Sequence, residues 1–330
     1  MKNRILGNKS HGLSVSAIGL GCMGMSHQYG VADEQKSLEV LNKSLDLGIN
    51  FWDTSDSYGP YVNEELLSQV LKNRRDDVIV ATKFGQQFHA DGKRSINGSA
   101  EYVRAACDAS LKRLKMDQID LYYQHRVDPN IPIEETWGAM SELVAAGKVR
   151  FLGISEASAT TIRKAHSVHD VTAVQTEWSI WSRNIEKNNI WKTVQELGIG
   201  LVAYSPLGRG FLTGTIRSAS QLADNDGRKT WPRFQDSAIA ENIKLIEKLE
   251  AVATQQECTL SQLALRWLLA KGQSVVPIAG TTKVANLISN IQALEGSLDL
   301  KTVEEIDDIS SEIEIIGDRY PEMMMKAVEI

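Results

Sequence analysis

Two hydrophobic rhythms alternate along nearly the whole chain. Short apolar runs rich in β-branched residues give way to stretches whose apolar residues recur every three or four positions. The runs predict eight strands, at 15–21, 50–54, 78–84, 119–125, 149–155, 172–178, 200–206 and 274–280. Amphipathic helices are expected between them, among others at 33–48, 99–115, 133–147 and 259–272. Gly48, Gly147, Gly198 and Gly272 sit where glycine ends a helix.

Eight strand–helix units predict a parallel sheet, and eight is the number that closes into a (β/α)8 TIM barrel, α/β in class. A doubly wound open sheet is the alternative, usually divided between two domains. No linker or low-complexity tract divides residues 1–330, so a single domain is expected. Three segments fall outside the eightfold count. The first, around Asn8-Lys9-Ser10, predicts an N-terminal β-hairpin at the barrel floor, and 301–313 predicts an extra C-terminal helix. Residues 207–240 are too long for a connector and read as a lid or cofactor latch.

Composition changes this picture little. At 42% hydrophobic and 24% charged, with a net charge of −6, the chain has material for a large core and no basic face for nucleic acid. The start carries no apolar signal core and no stretch is long enough to span a bilayer, so a cytoplasmic location without membrane contact is expected. Cys22, Cys107 and Cys258 are odd in number and far apart, and read as free thiols.

Gly19-x-Gly21-x-x-Gly24 has the spacing of a dinucleotide-binding fingerprint. The next helix is not expected before about Asp33, and no acid stands near residue 44 for a ribose, so the match reads as accidental. A Tyr-x-x-x-Lys pair and a Walker loop are absent. "GISEA" (153–157) ends in Ala157 where a nucleophile elbow needs glycine.

In an eightfold barrel the chemistry comes from the C-terminal ends of the strands. There the apolar pattern is broken by Asp53 and Tyr58 after the second strand, Lys83 on the third and His125 on the fourth. Each alone reads as a cap, a loop residue, a solvent-reaching lysine or a satisfied rim group. Together they suit proton donation to a carbonyl oxygen: Lys83, held by Asp53, is expected to lower the Tyr58 pKa while His125 orients the carbonyl. The missing hydride calls for a nicotinamide cofactor.

At these residues the chain resembles the aldo-keto reductase family. "GLGCMGMS", "DTSDSYGP", "EELLSQVL", "ATKFG", "DQIDLYYQHRVDP", "GKVRFLGISEAS", "VQTEWS" and "AYSPLGRGFLTG" stand in the family's order. The resemblance implies an NADPH-dependent reductase of small aldehydes or ketones, with Asp53, Tyr58, Lys83 and His125 as its catalytic tetrad. It implies Ser155 and Gln175 at the nicotinamide carboxamide and Tyr204 stacked on the ring. It places Cys22 and Met23 at the nicotinamide ribose. "SPLGRG", that is Ser205, Pro206, Leu207, Gly208, Arg209 and Gly210, would follow the pyrophosphate, with Arg209 a possible charge partner. Gly280, Thr282, Lys283, Asn286 and Asn290 would hold the adenosine phosphates. Lys283, with no acid beside it, favours NADP(H) over NAD(H). Thr282 could also cap the following helix.

Glu156 stands where the family commonly has Asn or Arg, and Ser289 where an acid is common. Met25, Tyr29, Trp178, Trp181 and Trp231 are candidates for an aromatic pocket mouth or for packing. The alternatives are a non-catalytic nicotinamide-binding redox-sensor or regulatory subunit on the same fold, and a metal-dependent barrel hydrolase, for which no strand-end metal motif is found.

Overall fold

The structure, a computed structural model, describes residues 1–8, 11–26, 28–89 and 91–329. Its first strands, β1 (Asn3–Leu6) and β2 (Leu13–Ser16), form an antiparallel hairpin. Lys9 and Ser10 of the expected turn lie outside the described residues. The barrel follows as β3 (Gly19–Gly21), β4 (Phe51–Asp53) and β5 (Ile79–Phe84). A second small hairpin, β6 (Gln86–Phe88) with β7 (Arg94–Ile96), interrupts it. It resumes with β8 (Ile119–Gln124), β9 (Val149–Ser155), β10 (Ala173–Glu177), β11 (Gly200–Tyr204) and β12 (Val275–Gly280). β12 pairs back onto β3, so eight parallel strands close a (β/α)8 barrel.

Helices α1 (Glu34–Asp46), α2 (Val62–Arg74), α3 (Ala100–Leu114), α4 (Ile133–Ala145) and α5 (Ala159–Val168) connect the first strands. The short α6 (Asn184–Lys187) and α7 (Ile190–Glu196) precede β11. Then come α8 (Asp236–Gln255), α9 (Leu260–Ala270), α10 (Val284–Gln292), α11 (Leu300–Glu312) and α12 (Glu322–Met325). Asp33, Ser99 and Ser158 cap the amides of Lys36, Tyr102 and Thr161, and Thr259 with Gln262 forms a capping box. Gly48, Gly147 and Gly198 end their helices in the left-handed conformation; Gly272, at the same place after α9, does not.

The first predicted strand divides in two. Val15 belongs to the hairpin, and the chain turns at Ala17–Ile18 before the barrel strand begins at Gly19. Leu6, Leu13 and Val15 of the hairpin join Phe51, Leu121, Tyr123, Val202, Val276 and Ile278 in the barrel interior, sealing its floor. Two glycines make room there: a Cβ on Gly200 would stand 2.6 Å from Leu6, and one on Gly153 only 2.4 Å from the Tyr123 ring. Arg4 fastens the hairpin by donating to the carbonyls of Leu269, Gly272 and Val275. The second core lies between strands and helices, and Cys22, Trp52, Trp137, Trp178 and Trp267 pack within it. α1 begins at Glu34, well past Gly24, so the glycines of 19–24 do not open a helix. All three cysteines are free thiols. Among the described residues no helix is long and apolar enough to cross a membrane.

Candidate active site

The C-terminal ends of β4, β5 and β8 bring Asp53, Lys83 and His125 to one side of the barrel mouth. Tyr58 sits in the turn after β4, where its amide donates to Ser55 O and its carbonyl accepts from the Asn63 amide. The Asn63 side chain locks this turn: it accepts from Thr54 Oγ1 at 2.6 Å and donates to Cys22 O at 2.9 Å. The short loop from strand to helix is therefore a rigid support.

Lys83 is wholly buried and its ammonium makes three contacts: Asp53 Oδ1 at 2.5 Å, Thr54 O at 2.7 Å and Tyr58 Oη at 3.3 Å. The other Asp53 oxygen accepts from Gln175 Nε2 at 2.6 Å. The Tyr58 and His125 rings meet edge to face at 6.0 Å. Burial pushes the Asp53 carboxyl up and the Lys83 ammonium down, and their mutual attraction opposes both shifts. Lys83 does not make Tyr58 acidic here. Burial of the phenol, with the Asp53 charge, pushes its pKa well above the tyrosine range, against Arg126. Burial, with Arg126 and Lys83, holds His125 well below the histidine range, so its imidazole is neutral.

The chain matches the model of the Aldo/keto reductase family over residues 17–311. It belongs to that family. Its fold is similar to the glycerol dehydrogenase of Gluconobacter oxydans, with a TM-score of 0.84, 26% identity, and 94% of this chain and 95% of that one covered. It is also similar to the holo form of an aldo-keto reductase from Bacillus halodurans, with a TM-score of 0.76, 30% identity, and 94% and 96% covered. A thermostable aldo-keto reductase complexed with the inhibitor epalrestat matches with a TM-score of 0.74 at 27% identity, over 94% and 100% of the two chains. As an aldo-keto reductase, the chain is an oxidoreductase acting on small carbonyl compounds, in a family that uses nicotinamide cofactors.

The remaining sequence candidates of this aldo-keto reductase lie round the same rim. Ser155 ends β9, Gln175 is on β10 and Tyr204 ends β11; Gly280 ends β12, paired with Gly21. Met23 begins a 3-10 turn just after β3, and Asn286 lies on the exposed first turn of α10, with Asn290 buried further along it. Cys22 differs from expectation: its side chain packs in the layer between strands and helices, and its backbone is what lies at the rim. Thr282 is not the helix cap. Lys283 occupies that position without a side-chain bond, and its amide goes to Thr281 Oγ1. The aromatic rim is also redrawn: Trp178 packs against Trp191 and Trp267 in the outer core, and Trp181 stacks on Phe211.

A buried charge network on the far side of the mouth is what sequence reasoning missed. Glu156, held in the left-handed conformation after β9, receives Arg319 through two bonds of 2.7 and 3.2 Å. It also accepts from Thr176 Oγ1 and the Glu177 amide. Burial alone would raise the Glu156 pKa, but Arg319 and Arg126 bring it down to about 2. Arg209 donates to Glu177 at 2.8 Å and to Arg319 O at 3.0 Å, its guanidinium lying between the rings of Trp231 and Tyr320. The expected pyrophosphate partner is thus committed inside the protein. Next to Arg319, Tyr320 Oη stands 2.7 Å from Tyr204 Oη. Arg126 donates to His125 O at 2.6 Å and reaches Ser155 Oγ at 3.4 Å.

Proposed function

We propose that the chain reduces small aldehydes or ketones with NADPH, with Tyr58 as proton donor and His125 as the group that orients the carbonyl oxygen. The observation carrying this reading is the Lys83 ammonium, bonded at once to Asp53, Thr54 O and Tyr58 Oη. A phenol held above its ordinary pKa keeps its proton at neutral pH. The Lys83 cation beside its oxygen stabilises the phenolate left after donation, which supports a donor active only as negative charge develops on the substrate oxygen.

The donor set around the mouth suits a dinucleotide. The first amides of α10 have no side-chain cap, and Lys283 and Asn286 are exposed beside them, as anion binding at a helix N-terminus requires. No acid occurs from Gly280 to Leu294 to pair with a ribose diol, which favours the 2′-phosphate of NADP(H). When bound, the reduced nicotinamide supplies the hydride. Ser155 and Gln175 would hold its carboxamide, Tyr204 its ring, and Met23 with the Cys22 backbone its ribose. The backbone of Ser205–Gly210 would follow the pyrophosphate, with Gly280, Thr282 and Asn290 completing the adenosine side.

Residues 207–240 act as a cofactor latch in this reading. The Arg209–Glu177 ion pair, the Gly227 amide donating to Gln28 O and the Trp181–Phe211 stack fasten them inward. The test is NADPH absorbance loss with a panel of aldehydes and ketones, repeated with NADH. Tyr58→Phe should remove turnover and leave NADPH affinity within about threefold, since general acid catalysis is worth about 10²–10⁴-fold. Full turnover by Tyr58→Phe would overturn the assignment.

A further inference from the structure

Ser55 stands at the crossing of a buried polar chain that the tetrad does not use. Its Oγ lies 3.1 Å from His125 Nδ1 and 3.3 Å from Asp56 Oδ1, and it accepts from the Ser57 amide at 3.2 Å. Ser57 Oγ at 3.0 Å and Lys83 O at 3.4 Å complete its surroundings, and Ser57 Oγ itself lies 3.4 Å from His125 Nδ1. Ser55 and Asp56 are both buried. A hydroxyl has one proton to give, and a neutral imidazole has one nitrogen that donates and one that accepts. The direction of the Ser55 hydroxyl, the nearer of the two serine hydroxyls at Nδ1, therefore bears directly on which nitrogen of His125 carries the proton.

We propose that Asp56 as the neutral acid donates to Ser55 Oγ, that Ser55 donates to His125 Nδ1, and that His125 thereby keeps its proton on Nε2, the edge offered to the substrate carbonyl. Asp56 and Ser55 are positioning residues that act through His125. The consequence for carbonyl reduction rests on the reductase reading; the hydrogen-bond chain itself does not. No proton crosses this chain during reduction: Tyr58 gives its proton to the substrate and His125 retains its own.

The surroundings of Asp56 favour the neutral acid. Glu64 faces it from α2, Arg113 and Tyr102 from α3, and Tyr122 from β8. Arg113 Nε is bonded to Glu64 Oε2 at 2.6 Å, and Glu64 Oε1 accepts from Thr82. The cation in reach is thus already shared with another carboxylate. Burial, with Glu64, pushes the Asp56 carboxyl up to about 8, against Arg113 and the bonds from Ser55 and Ser57. Once Asp56 loses its proton to solvent it can only accept. Ser55 then turns its hydroxyl to the carboxylate, and His125 donates from Nδ1 to Ser55 Oγ, leaving a lone pair on Nε2 that repels a carbonyl oxygen.

Long-range proton–nitrogen spectra of protein labelled at histidine with nitrogen-15 report this tautomer directly, His125 being assigned from the His125→Gln difference. The parent should show the Nε2–H form near about pH 6.5 and convert to Nδ1–H as pH passes about 8–9. Asp56→Asn offers Ser55 an amide donor at every pH and should hold the Nε2–H form to about pH 9.5. Ser55→Ala should uncouple the tautomer from pH, and Ser55→Thr should restore the coupling. An Nδ1–H form in the parent near neutrality, or the same transition in Asp56→Asn, would overturn the proposal. In activity, the alkaline fall of kcat/KM should move up by about one pH unit in Asp56→Asn, with NADPH affinity within about threefold. An unmoved fall would also overturn it. Failure of the reductase reading looks different: the parent would consume no NADPH with any carbonyl, and the spectra would still decide the hydrogen-bond chain.

Discussion

Glu156 and Arg319, far apart in the chain, are joined by a two-point ion pair in which both side chains are almost fully withdrawn from water. The pair ties the segment after α11 to the end of β9, across the barrel mouth. Removing one member strands a buried charge, which costs about 3–5 kcal/mol. Arg319→Leu should therefore lower the urea midpoint sharply, and the double variant Glu156→Gln/Arg319→Leu should be less destabilised than Arg319→Leu alone. Urea titration followed by circular dichroism checks both.

The same pair gives an acid dependence. The folded pKa of Glu156 is depressed to about 2, so its stabilisation is complete above the ordinary glutamate range and is lost as pH falls through that range towards about 2. Unfolding midpoints between pH 6 and pH 3 should fall less steeply in the double variant than in the parent.

Lys83→Met removes the cation that faces both Asp53 and Tyr58. Turnover should drop by about 10²-fold or more, while Tyr58→Phe combined with it should cost little beyond either single change, because the two groups act as one device. Steady-state kinetics of the four proteins form the cycle.

Gly153 faces the Tyr123 ring at a distance that admits no methyl group. Gly153→Ala should cost about 1–3 kcal/mol through overpacking of the barrel interior, visible as a lowered melting temperature.

Lys283→Glu places a negative charge at the uncapped start of α10. NADPH affinity should fall by about tenfold or more, with NADH affinity changed far less. Fluorescence titration with both cofactors measures the ratio.

Much of this was legible in the chain. The strand rhythm is strong because strands buried on both faces are continuously apolar, so Asp53, Lys83 and His125 stand out as interruptions at strand ends. The predicted strand 15–21 spans a turn because the apolar run does not break between β2 and β3. The small hairpin of β6 and β7 has polar, half-exposed strands with no apolar alternation to betray them. Glu156 was visible as a departure from the family's pattern, but nothing local could name Arg319 as its partner. No apolar interruption singles out Ser55 or Asp56 within "DTSDSYGP", and only the fold brings them to His125.

The hairpin floor and the closing segment put Met1 and Glu329 on opposite faces of the barrel. Met1 lies at the exposed edge of the floor, whereas the Glu329 amide bonds to Glu156 O and its carboxylate receives the Ser158 amide. A surface linkage made at Met1 would leave the mouth facing solution. A linkage at Glu329 would press on the network that carries Tyr320 to Tyr204, so immobilisation chemistry belongs on the floor side, at Met1.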